Sequence, residues 1–384
     1  MATEPAGKSD GVKSSNPQNS GVGRARIANE EKGLTGARGL AALYVFSYHS
    51  LALYWVYLGI PITTTTVIYF SPYSLLTSGC GIDFFFVLTA YLLTKKMKRG
   101  DYPNLRYYFL KRIFRIWPLF YITLVPVALL GIYQPSWLTL IFASNYFPSS
   151  FSNTPLWTLM VEELFYILLP LWVLLFVKGR VKYTIPILLA ITIAYRLLSP
   201  ASNIEFYDKQ IPGYLVDYGL GTALGLGYNV KLGRWIYPFI AGFAVYAFTF
   251  PNGYVWFVHL PFAVFYYLVI GSFANSRVLT SSFSVFFGKM SYPLSMFGTF
   301  IMTRLDGDLF PGMFSLTDPY QAVGWLVVSF ALSLSLAVLA HRMIEKPGII
   351  LGEKVISRLK LVSRRKGVSE TKASIPTPAV TTLK

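Results

Sequence analysis

Long apolar runs separated by short basic connections make up most of this 384-residue chain. The runs fall at about 36–57, 73–94, 116–133, 157–177, 183–198, 212–229, 235–250, 254–273, 283–303 and 320–341. A helix needs roughly 20 apolar residues to cross hydrocarbon at 1.5 Å per residue, and a backbone in lipid must satisfy its own hydrogen bonds. The pattern therefore predicts an all-α integral membrane protein of about ten transmembrane helices in one bundle. The stretch 134–147 is apolar but short, with Pro135 and Pro148 at its ends, and is expected to be an interfacial or re-entrant piece.

Composition agrees: 54% of residues are hydrophobic and 13% charged, against roughly 25% charged in soluble domains. The net charge of +17 does not point to nucleic acid, because the basic residues sit at the ends of apolar runs and in the tails. With the N-terminus in the cytoplasm, the inner connections read "KKMKRGDYPNLRYYFLKRIFR", "KGRVK", "KLGR" and "NSR", and the C-terminal tail is basic too. The outer ones, 58–72, 134–156, 199–211, 251–253 and 304–319, hold few basic residues. This alternation predicts both termini in the cytoplasm. Residues 1–33 are expected to form a disordered polar tail without a removable signal peptide, 34–350 the membrane domain, and 351–384 a basic, disordered cytoplasmic tail. Cys80 is the only cysteine, and the three histidines, His49, His259 and His341, lack metal-ligand spacing, so no disulfide and no metal are expected.

Ionisable groups inside apolar runs carry the chemistry. In "ARGLAALYVFSYHS" Arg38 and His49 are eleven residues apart, about three helical turns and roughly 16 Å along one face. Alone, Arg38 reads equally well as a cytoplasmic-side anchor and His49 as an interhelical hydrogen bonder. Asp83 in "GCGIDFFFVLTAYLLT" needs a donor and is either a polar clamp or a functional group. In "YFLKRIFRIWPLFYI", Arg112 and Arg115 share a helix face; they form either a charged cuff or a cradle for phosphates. Glu162 and Glu163 in "TPLWTLMVEELFYILLP" point about 100° apart and so have different partners, with Trp157 and Tyr166 nearby as interface aromatics. "GKMSYPLSMFGTF", with Ser291 and Tyr292, and "HRMIEKPGIIL", with His341 and Glu345 four apart, are each explained by capping and anchoring. No role is read for His259.

Taken in order, these stretches resemble the membrane-bound acyltransferase type 3 family, the bacterial O-acetylases of lipopolysaccharides, exopolysaccharides, Nod factors and macrolides. "GIDFFFVLTAYLLT" is similar to the family's Gly-Val-Asp-Leu-Phe-Phe-Val-Leu-Ser-Gly-Phe-Leu segment, and "LWTLMVEELFYILLPL" to its Trp-Ser-Leu-Ser-Val-Glu-Glu-Gln-Phe-Tyr segment. The resemblance runs over about residues 34 to 350. There are departures: Ala90 stands where relatives carry a different small residue, and Gly298 lies in a stretch where they often carry a second His. A hydrolase-like domain found in some relatives is not expected here.

The resemblance implies transfer of an acyl group, most often acetyl, from cytosolic acyl-coenzyme A to a hydroxyl of a cell-surface or exported glycan. The place is the bacterial cytoplasmic membrane, and other polysaccharide biosynthesis proteins are possible partners. An imidazole with an ordinary pKa near 6.5 suits general-base work on a hydroxyl, so His49 is the expected base, an acyl-histidine being a less favoured variant. Glu162, Glu163 or Asp83 is expected to orient it or to hold sugar. Arg38, Arg112 and Arg115 are expected to bind the donor's phosphates, and Trp157, Tyr166 and Tyr292 the acceptor. The rival reading is a polytopic transporter or flippase of a glycan or lipid precursor, in which the same residues relay protons or bind cargo. Against it, the chain has no internal repeat.

Overall fold

The computed structural model describes residues 21–57, 81–129, 131, 134–148, 156–176, 179–200, 204–230, 232–249, 255–273, 276–304 and 318–359. Cys80, the outer connection 58–72, residues 1–20 and the tail from 360 lie outside the described residues. Among the described residues every regular element is helical. The long helices are α1 (Gly21–Tyr57), α2 (Gly81–Arg99), α3 (Leu105–Leu129), α4 (Leu156–Leu174), α5 (Val181–Leu198), α6 (Leu215–Leu226), α7 (Ile236–Thr249), α8 (Val255–Phe273), α9 (Ser282–Arg304), α10 (Pro319–Ala340) and α11 (Lys346–Arg358). Among the described residues four stretches, Leu105–Leu129, Leu156–Leu174, Val181–Leu198 and Tyr320–Arg358, are long and apolar enough to cross a membrane. Their outer faces carry exposed Ile122 and Val125, Ile167 and Leu171, Ile187 and Ile191, and Val323 and Val327. Apolar patches of this kind fit lipid rather than water.

Four boundaries depart from the apolar pattern. Residues 21–33, expected as a disordered tail, are the first turns of α1. This extension is held by charges that α2 supplies: Glu30 pairs with Lys95 and accepts a 2.5 Å hydrogen bond from the Tyr91 hydroxyl, and Glu31 lies 2.8 Å from Arg99. Burial acts to raise the Glu30 carboxyl. The hydrogen bonds from Lys95 and Tyr91, with the charges of Lys95 and Arg99, outweigh it and hold the group below the ordinary glutamate range. Helix α3 begins eleven residues ahead of its apolar run because Asn104 Oδ1 accepts from the Tyr107 N–H at 2.8 Å, capping the end. The run 212–229 yields only the 12-residue α6, about 18 Å long. A 3₁₀ turn, Ile211–Tyr214, precedes it, and Gly227 ends it at φ 104°, the left-handed conformation that glycine adopts freely. At the other end of the chain, residues 351–358, expected as part of a disordered tail, belong to the helix α11.

The bundle is organised by two close helix pairs. Helix α1 packs along α9 and α2 along α6. Small residues allow both: a Cβ on Gly288 of α9 would stand 1.9 Å from the Thr35 carbonyl oxygen, and one on Gly221 of α6 would stand 2.2 Å from that of Val87. Backbone contact this close substitutes for the hydrophobic drive that is missing between helices in lipid. Stacked aromatics fill the core around α2, α4 and α6, with the Phe165 and Tyr218 rings 3.9 Å apart and Phe86 against Tyr218 at 5.0 Å.

Candidate active site

Helices α1, α2, α3, α4 and α9 line one open cavity. Helix α1 runs unbroken past it and lines it with Arg38, Ala42, Val45, Phe46 and His49. That spacing is one helical stripe, so Arg38 and His49 do share a face, about 16 Å apart along the axis. Helix α2 adds Ile82, Phe85, Phe86 and Thr89; α3 adds Arg112, Arg115 and Ile116; α4 adds Trp157, Glu162 and Tyr166; α9 adds Ser291, Tyr292 and Ser295. The wall is apolar except where these few groups converge, which is the usual build of a small-molecule site.

The polar groups are fixed by neighbours. Glu162 accepts from the Thr89 hydroxyl at 3.2 Å and from the Tyr166 hydroxyl at 2.9 Å, and lies within electrostatic reach of Arg38 and Arg112. Arg112 donates to the Tyr102 hydroxyl at 3.1 Å and lies over the Tyr166 ring at 5.7 Å. Tyr292 donates to the Ile116 carbonyl at 3.0 Å, tying α9 to the turn of α3 that bears both arginines. Arg38, Arg112 and Arg115 thus make one strongly cationic end. Just outside it, Lys96 is held below the ordinary lysine range, first by burial and then by the charge of Arg112, with Glu31 opposing. Such an end fits phosphate oxygens, which arginine forks match well. Lys209 lies within electrostatic reach of His49.

Two of the acidic residues singled out in the sequence lie elsewhere. Asp83 does not line the cavity; both its carboxylate oxygens stand 2.8 Å from Nδ1 of His259, and Asp83 is fully buried. His259 Nε2 faces Asp208 at 3.8 Å, and Asp208 in turn pairs with Arg196 at 2.8 Å. Asp83 is therefore part of a polar chain joining α2, α5 and α8, and its partner is His259 rather than His49. Glu163 is also buried away from the cavity, beside Trp117 of α3. The adjacent carboxylates diverge as the 100° helical step requires. Among the described residues no group of three His, Cys, Asp or Glu is arranged to hold a metal ion.

A family model described as an acyltransferase domain matches residues 31–342. The chain belongs to the acyltransferase 3 family. All the cavity residues named above fall inside the matched stretch. The chain is also 27% identical over 215 residues to the peptidoglycan O-acetyltransferase OatA of Listeria monocytogenes. That alignment covers 49% of this chain and 31% of the relative, so the chain spans well under half of that protein's length. No solved structure matches the chain.

Reading the sequence missed Thr89, His259 and Lys209, and gave Glu345 a different partner. Thr89 was within reach: it stands seven residues after Ile82 and four after Phe85, on the cavity stripe of α2. His259 and Lys209 carried no local signal, because each meets its partner only through the tertiary fold; Glu345 reads with His341 as a capping and anchoring pair, and only the fold brings it near Arg115. Glu345 lies 4.0 Å from Arg115.

Proposed function

We propose that this protein is a multi-pass enzyme of the bacterial cytoplasmic membrane that moves an acyl group, most simply acetyl, from cytosolic acyl-coenzyme A to a hydroxyl of a glycan. On this reading the ten apolar runs span the bilayer with both termini in the cytoplasm, and residues 34–350 are the acyltransferase domain. The observation that carries it is the convergence of Arg38, Arg112, Arg115 and His49 on one cavity in a chain of an acyltransferase family. Support for a glycan acceptor comes from the relative in Listeria monocytogenes, whose acceptor is peptidoglycan; the acceptor here is a related polymer or its lipid-linked precursor.

The donor supplies a thioester, an acyl group already activated for transfer. The chain supplies position and a base. Arg38, Arg112 and Arg115 hold the donor's phosphates at the cytoplasmic end, and the stripe Ala42, Val45 and Phe46 gives its arm an apolar track toward His49. One ring nitrogen of His49 takes the acceptor hydroxyl's proton as the new ester bond forms, and returns it to the departing sulfur. Glu162, fixed by Thr89 and Tyr166, offsets the mutual repulsion of Arg38 and Arg112. Trp157, Tyr166 and Tyr292 flank the acceptor, aromatic faces being suited to sugar rings.

The test is transfer of label from radiolabelled acetyl-coenzyme A to extracted surface glycan by the purified full chain in lipid vesicles. Label in the glycan, with stoichiometric release of free coenzyme A, supports the reading. Movement of glycan across the vesicle with no consumption of donor contradicts it and indicates a transporter.

A further inference from the structure

Glu345 is an acid set against a basic wall, and the chemistry proposed above makes no use of it. Arg115 faces two like charges, Arg38 and Arg112, within electrostatic reach. The carboxylate against it is Glu345, whose Oε1 stands 4.0 Å from Arg115 Nε. The carboxylate side chain is 4% exposed and the guanidinium side chain 37%. One partner is thus locked inside the protein while the other faces the cavity. The second carboxylate oxygen is held too, at 2.8 Å from His341 Nδ1, so the acid is fixed in rotation as well as in place.

The backbone around Glu345 is built for this placement. His341–Glu345 is a π-helical turn joining α10 to α11, and single π turns are uncommon and concentrate at functional sites. The extra residue in such a turn rotates everything after it by about 100° relative to an unbroken α-helix. That rotation matters here, because α11 docks on α3 through glycines. A Cβ on Gly348 would stand 2.7 Å from the Phe114 carbonyl oxygen, and one on Gly352 would stand 2.6 Å from Phe114 Cβ. Phe114 immediately precedes Arg115. The π turn therefore lets one segment press its glycines on Phe114 while it presents Glu345 to Arg115.

We infer that Glu345 is a positioning residue for Arg115, attracting the Nε edge of the guanidinium by charge from 4.0 Å, beyond hydrogen-bond distance, so that the terminal nitrogens remain for a phosphate oxygen of the donor. The inference rests on the donor reading given above. It also makes a prediction of sign. If Glu345 acted only through its charge, neutralising it would tighten anion binding; if it positions Arg115, neutralising it weakens binding.

The deciding experiment is titration of coenzyme A into the full chain in lipid nanodiscs, with thermal midpoints measured alongside. We expect Glu345→Gln to weaken binding about tenfold, the scale of one lost charge-assisted contact, and Glu345→Asp to recover part of it. Arg115→Gln weakens binding to a similar degree. The double variant is no weaker than Arg115→Gln alone, because the acid acts through the arginine. Unchanged or tighter binding by Glu345→Gln, while Arg115→Gln binds weakly, overturns the inference and leaves the donor reading standing. A lowered thermal midpoint with affinity intact also overturns it, by making Glu345 purely structural. If the unmodified chain does not bind coenzyme A, the donor reading falls and this inference falls with it.

Discussion

Arg38 and His49 stand on one face of the unbroken helix α1, about 16 Å apart along its axis, and both line the same cavity. A rigid helix between them fixes the separation of a cationic end and an imidazole. The proposed function uses that separation twice, since the donor's charged head and its reacting carbon must be held at once, a requirement of proximity catalysis.

Arg38→Ala therefore weakens donor use. Loss of one or two charge-assisted hydrogen bonds raises the donor KM roughly ten- to a hundredfold, with a much smaller change in kcat. Initial rates over a range of donor concentrations check this, and an unchanged KM would reduce Arg38 to a membrane-side anchor.

Thr89→Val removes one of the two donors that hold Glu162 and leaves shape nearly intact. Activity is expected to fall by roughly ten- to a hundredfold, the worth of a hydrogen bond to a charged group, while the thermal midpoint moves little. Tyr166→Phe, which removes the other donor, behaves in the same way. Parallel rate and melting measurements separate this from general destabilisation.

Asp83→Ala acts on stability. It leaves His259 buried without its carboxylate and breaks the chain that runs on to Asp208 and Arg196. The cost is on the order of 2 to 4 kcal/mol, read as a lowered thermal midpoint in detergent. An unchanged midpoint would contradict the clamp role.

Glu30 gives the fold a pH dependence. Its carboxyl titrates below the ordinary glutamate value of 4.5 in the folded chain, so its pairing with Lys95 and Tyr91 stabilises the chain fully above that value. The contribution is lost as pH falls through the lower folded value. Glu30→Gln is accordingly less stable than the unmodified chain near neutral pH, and the two thermal midpoints converge in acid. A gap that stays constant with pH would show that the ion pair contributes nothing.

Much of the site was legible in the sequence, because a helix converts spacing into direction. Arg38 to His49 on α1 and Arg112 with Arg115 on α3 share their faces by period alone, and the divergence of Glu162 from Glu163 follows from the same geometry. What stayed hidden depends on distant partners. Asp83 and His259 are 176 positions apart, and no periodicity announces that α8 brings the imidazole to α2. Residues 21–33 read as a polar tail because their helix is held by Lys95 and Arg99 of another element. The short α6 was masked by an apolar run that the fold divides into the 3₁₀ turn Ile211–Tyr214 and a helix stopped by the left-handed Gly227.

The most direct test of the account is a comparison of His49→Ala with Arg38→Ala in steady-state acetyl transfer, donor and acceptor each varied. The account predicts that His49→Ala loses kcat by about a thousandfold, the scale of a missing general base, with donor KM nearly unchanged, whereas Arg38→Ala raises donor KM and spares kcat. A His49→Ala variant that transfers acetyl as fast as the unmodified chain would contradict the assignment of the base and with it the proposed site.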